Sequence, residues 1–291
     1  MKCFTSCYED WVRKQEWDLT YLLAAASTSA AASAEQTAAD AELRVVVEKS
    51  LRLYEEYAEQ RCALAPADGP AFFCPAWCSA FENSVLWMGG CRPTLFIRLL
   101  YSLSGAALDA RLHDFLNNGG DDGTDRLSAE LLRGEKSMLG LSARQLGLVD
   151  ELHGHTLREE GRLTAKMATV QEDVADRPLL SAARVHRKIT SSSAAAAAAY
   201  AASSSSWGND GDVAAAIKSC AEEMAGLLVE ADRLRVATAR ALLTEILGPK
   251  QAVELLVAAK QLHLSIHKSS KQRDTDLCCG GGGGNVDGAV F

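Results

Sequence analysis

A chain of 291 residues with 48% apolar and 23% charged residues can bury a sizeable core. Its formal net charge of −8 argues against nonspecific phosphate binding, which needs clustered Lys and Arg. No run approaches the ~20 apolar residues of a bilayer span, and Met1 to Trp11, with Glu9 and Asp10, lacks the apolar stretch of a signal peptide.

The first predicted helix carries Phe4, Tyr8, Trp11, Gln15, Leu19 and Leu22 at three- and four-residue steps. The Ala/Ser stretch after it reads as a flexible insert over about 24–38. A second helix follows with Leu43, Val47, Leu51, Tyr54 and Cys62 as its stripe, and the prolines between Pro66 and Pro75 break it. Trp77, Phe81, Val85 and Met88 make a short third stripe that stops at Gly89-Gly90. Pro93 suits the first turn of a fourth helix, expected to end near Gly105. Residues 117–126 read as a solvated loop.

Ser142 and Gln145 have the spacing of a capping box, opening a long stripe through Val149, Leu152, Thr156, Leu163, Met167 and Val170. Residues 190–211 are a second low-complexity insert. Asp212 is placed to cap a further helix through Ile217, Met224, Leu227 and Ile246, and Gly248-Pro249 turns the chain into a last one with Val253, Leu256, Leu262 and Ile266. The expectation is an all-α protein: one bundle of seven to eight helices over 1–268, with a disordered Gly-rich tail over 269–291.

Few residues suggest chemistry. Nine cysteines without framework spacing read as reduced thiols of a cytosolic or nuclear protein. Cys74 and Cys78, with Cys91 nearby, lack the second ligand pair of a structural zinc site and read as small buried thiols. His153 and His155 point about 200° apart on a helix and read as solvent-facing. His263 and His267, four apart, share a face and could present a ligand to iron, or lie on a wet face beside Lys260 and Lys268. Glu159-Glu160 and Glu222-Glu223 read as solvated faces, and the basic run Arg184 to Lys188 as solvated surface or a weak nuclear-import or acidic-partner patch. No Rossmann, P-loop, nucleophile-elbow or EF-hand pattern occurs, so no metal site and no enzyme is expected.

One constellation is specific: Tyr8, Trp11 and Gln15, then Trp77, then Glu82 with Trp87, Gly89, Gly90, Arg92 and Pro93. It resembles the plant Delay of Germination domain of seed-dormancy regulators, found also in the C-terminal half of TGA-type bZIP transcription factors. Cys91 departs from the family's frequent second Trp. The resemblance implies a nuclear and cytoplasmic regulator of abscisic-acid responses that binds protein phosphatases. It also implies heme at a late histidine pair, which His263 and His267 match in position. bZIP factors or self-association are further expected partners. Transcriptional regulation related to TGA factors is the alternative, with direct DNA binding weakened by the missing zipper; a role in pollen aperture formation is another.

Overall fold

A computed structural model describes residues 2–31, 36–117, 140–174 and 210–280. They form seven α-helices: α1 Lys2–Ala31, α2 Gln36–Leu64, α3 Ala80–Val85, α4 Pro93–Asn117, α5 Ala143–Val174, α6 Asp210–Arg240 and α7 Pro249–Gly280. A 3₁₀ turn, Pro70–Phe72, precedes α3, and a π-helical turn, Ala241–Ile246, links α6 to the corner before α7. The all-α expectation holds; among the described residues the sole β pairing is an isolated bridge between Trp87 and Gly90.

Helix α1 lies along α2 and α7, α2 also meets α6, and α6 runs beside α5; α4 packs on α5, α6 and α7. The main core gathers one stripe from nearly every helix: Leu22, Leu51, Ile97, Leu100, Val149, Leu242 and Leu255 are all essentially without exposure. Each such side chain contributes roughly 1.5–3 kcal/mol by leaving water. Two smaller clusters fill the other end. One packs Trp87 and Met88 on Leu163 and Leu227, and the other packs Phe4 and Phe72 on Leu228.

Several sequence expectations are corrected. The Ala/Ser stretch at 24–38 is helical as far as Ala31, and α2 resumes at Gln36. Alanine is the best helix former, and Ser27 and Thr28 return their hydroxyls to carbonyls four residues back. Helix α4 passes through Gly105 to Asn117, and α6 starts at Asp210, so Asp212 lies inside it. Residues 269–280, expected in the tail, belong to α7. In the third stripe Phe81 and Val85 are exposed, because α3 presents its other face to the bundle. The rest of the 117–126 and 190–211 inserts, the 184–188 run and the tail beyond Gly280 lie outside the described residues.

Candidate functional site

The specific constellation of the sequence assembles at one end of the bundle, in a seam of α1, α3 and α7 backed by a turn between α3 and α4. Helix α3 is short, so its start must be fixed locally. Ser79 accepts from the Glu82 backbone while Glu82 accepts from the Ser79 backbone, a complete capping box. That bond leaves Glu82 Oε1 aimed at the seam. Tyr8 of α1 donates to it at 3.0 Å, and Nδ1 of His267 on α7 lies 2.7 Å away. Three helices therefore meet on one carboxylate. These bonds hold the Glu82 carboxyl below its ordinary pKa, against the opposing effect of burial. Burial, reinforced by the Cys78 thiol and the Glu82 carboxylate, pushes the Tyr8 phenol up, so Tyr8 stays a donor.

One turn back along α7 the second histidine is half-buried. Burial first, then the neighbouring His267, pushes His263 down to about 4, so its imidazole is neutral near pH 7. The wet-face reading of the pair is thus corrected: packing α7 onto α1 turns both histidines inward. A turn further, Lys260 reaches across to Asp18 at 3.0 Å and Gln15 at 2.5 Å, and Ser50 of α2 donates to Asp18 at 2.6 Å. Burial lowers the Lys260 pKa and the Asp18 carboxylate resists that shift.

The remaining motif residues build the walls. Trp11 stacks on Tyr57 at 4.4 Å, and Trp77 on Phe4 at 5.9 Å. Trp87 donates its indole N–H to Thr164 and lies under the guanidinium groups of Arg92 and Arg235. After it the chain turns through Met88 and Gly89, both at positive φ, 46° and 70°. A Cβ on Gly89 would sit 2.8 Å from the Phe72 carbonyl, and one on Gly90 2.9 Å from the Arg235 guanidinium. Arg235 reads that turn: it donates to the carbonyls of Trp87, Met88 (3.0 Å) and Cys91 (2.8 Å) and to Asp232 at 2.6 Å. Arg61 of α2 completes the cluster 3.1 Å from Asp232, an ion pair without hydrogen-bond geometry. Pro93 opens α4, whose Thr94 donates its N–H to Glu160 at 2.8 Å, with Arg92 3.5 Å from the same carboxylate.

Other expectations are corrected here. Glu160 is buried as the cap of α4, because it follows Thr156 by one turn on the inner stripe of α5. His153 is half-buried against the Tyr101 ring, while His155 is exposed. Cys74 and Cys91 are exposed and Cys78 is half-buried, with burial and then Glu82 raising its thiol to about 11. Among the described residues no three His, Cys, Asp or Glu side chains gather as metal ligands, and no helix is long and apolar enough to cross a membrane. The sequence reading missed Asp18, Arg61, Asp232 and Arg235. Asp18, Asp232 and Arg235 each lie one turn from a buried apolar residue on the same helix, and Arg61 one turn before the buried Ala65; that register was the available signal.

As a test for heme, His267 has one nitrogen held by a carboxylate, which orients an imidazole for ligation through the other. His263 is held in the neutral form that ligation requires. The donor chemistry of this pair therefore fits the heme that the resemblance implies, which His263 or His267 would hold through an imidazole nitrogen.

Residues 21–102 match the family model described as DOG1: Seed dormancy control. The chain is 35% identical over 289 residues to Protein DOG1-like 1 of Arabidopsis thaliana, covering 96% of this chain and 94% of that protein. Protein DOG1-like 2 of the same plant is 34% identical over 280 residues, covering 96% and 94%. Protein RESPONSE TO ABA AND SALT 1, also from that plant, is 24% identical over 273 residues, covering 93% and 96%.

Proposed function

The chain belongs to the DOG1 seed-dormancy family, and from that premise we propose that it is a non-enzymatic regulator of the dormancy and germination type that works by binding protein partners. The observation that carries this reading is the state of the polar seam. Glu82, His267, Lys260, Asp18 and Gln15 are each engaged with a different helix. Groups that would be a base, an acid or a nucleophile in an enzyme serve here to fix three helices in one arrangement. A rigid helical surface is what remains to act with.

Protein phosphatases of the abscisic-acid pathway are the proposed partners, in the nucleus and cytoplasm. The likeness to a protein named for its response to abscisic acid supports the pathway. The test is retention of purified abscisic-acid-pathway phosphatases on the immobilised full chain, with unrelated phosphatases as controls. Selective, saturable retention is expected, and equal or absent retention sinks the phosphatase reading. A gel-shift titration with duplex DNA at about 50 mM salt addresses the transcription-factor alternative, since electrostatic binding is strongest there; no shift is expected.

Heme is a second reading, favoured by the carboxylate that orients His267. Hemin added to the full chain is expected to give a Soret band that shifts in His267→Ala. An identical band in that variant removes this residue as the ligand.

A further inference from the structure

We propose that the groove between α2 and the π turn is a docking site for an acidic segment of a partner protein carrying a bulky apolar side chain. This rests on the partner-binding reading above and adds to it a place and a chemistry. The groove encloses about 610 Å³. Its apolar lining includes Val45, Leu243 and Pro249, and its α2 wall carries Arg44, Lys49 and Arg52. All three cations are exposed. The acid that lines the groove, Glu48, is held by Arg240 at 3.2 Å, so the wall presents net positive charge. Glu42 and Glu245 lie nearby in sequence, exposed, but neither lines the groove.

Lys49 joins this groove to a second feature. Trp17 and Tyr21 of α1 stack with ring centroids 5.8 Å apart, and the Lys49 ammonium lies 4.4 Å from both centroids. Trp17 is 53% exposed and Val45 67% exposed. The surface therefore runs from an open aromatic pair, through a cation, into an apolar trough rimmed by arginines. Trp, Tyr and Arg are the residues in which binding energy concentrates at protein interfaces. The charge argues for the occupant. In a chain of net charge −8 an acidic partner is repelled by most of the surface, so a cationic rim selects both the partner and its site. The apolar lining then demands a side chain to cover it, which favours a protein segment over a bare polyanion.

The test is fluorescence anisotropy of a labelled peptide of Glu and Asp carrying one Trp and one Leu, titrated into the full chain. Saturable binding is expected, weakened about tenfold or more in Arg44→Glu/Arg52→Glu and in Val45→Asp. The same peptide with Ser in place of Trp and Leu should bind about tenfold more weakly. Lys268→Glu/Arg273→Glu, on α7, should bind like the parent chain. All these positions are exposed, so thermal unfolding of the variants should match the parent. Absent binding, equal binding of the two peptides, or indifference to the groove substitutions overturns the proposal. So does tighter binding of duplex DNA or phosphatidylserine vesicles through the same residues. Phosphatase retention that survives Arg44→Glu/Arg52→Glu undiminished also overturns the groove while leaving the partner reading intact. Peptide binding with no phosphatase retained supports the groove and removes only that partner.

Discussion

Two buried polar networks hold this bundle, and they are built from different chemistry. Between α2, α6 and the Trp87 turn, Asp232 sits between two arginines, Arg61 and Arg235, all three almost without exposure. Between α1, α3 and α7 the bonding groups are Tyr8, Glu82, His267, Lys260 and Asp18. The arginine cluster contains cations that keep their charge at any pH a protein meets. The α7 side contains the half-buried His263 and, facing another way, the half-buried Glu254, whose carboxyl burial pushes up to about 7. One network is a permanent rivet, whereas the other lies on a helix whose charges change within the ordinary pH range.

The largest effect is expected where the rivet loses its anion. Asp232→Ala leaves Arg61 and Arg235 buried with no counter-charge, and breaking such a pair from one side costs about 3–5 kcal/mol. Urea unfolding should show the loss as a lower midpoint; a midpoint within error of the parent would mean the arginines reach water. Next comes Gly89→Ala. The residue must hold a left-handed backbone, and its new methyl would press on the Phe72 carbonyl, so about 2–3 kcal/mol is expected in the same assay. The turn it distorts is the one Arg235 holds by three carbonyls.

That difference between the networks was only partly legible in the sequence. The apolar stripes of α2, α5 and α7 are readable because burial favours the same face every three or four residues. The same register also contains Asp18 after Gln15, Glu160 after Thr156, and Lys260 after Leu256. A charged residue at a core position is a signal, but its partner lies on another helix and comes from distant sequence: Asp18 and Lys260 are 242 positions apart. Periodicity places a residue on a face without saying what faces it. The Trp87 to Pro93 block was recognisable as a motif, yet its purpose, a positive-φ turn clamped by Arg235, needed coordinates. The helical run to Ala31 was misread because Ala and Ser are common in linkers, although alanine's own preference is for the helix.

The α7 side should answer to pH, in two opposite senses. His263 is neutral when folded, with its pKa down at about 4, so the unfolded chain takes up a proton below about 6.5 that the folded chain refuses. Its contribution is present above that pH and is lost as pH falls toward 4, on the order of 2 kcal/mol. Glu254 is raised, so its contribution is present below the unfolded value and is lost as pH rises toward 7. In the parent chain the two partly offset between about pH 4.5 and 6.5. His263→Gln should leave stability falling with rising pH across this window. Glu254→Gln should do the reverse, and should stabilise the protein at pH 8 while changing little at pH 5. Parallel pH profiles for the two variants would refute the assignment.

The smallest effect separates burial from charge as the source of the rivet's strength. Two residues before Asp232, on the same helix, Glu230 accepts Arg162 and Lys166 of α5 at 2.9 Å each. By geometry this cluster is as good as the buried one, and its hydrogen bonds lower the Glu230 carboxyl below its ordinary pKa. But Arg162 and Glu230 are 44% and 35% exposed, so water and salt compete with every contact. Arg162→Ala should therefore cost no more than about 1 kcal/mol, and that cost should fade as salt rises toward 1 M. Removing Asp232 should cost several times as much and depend little on salt, because its penalty is the desolvated charge left behind. A comparable, salt-independent loss at both positions would show that helix α6 depends on the number of its ion pairs and not on where water is excluded.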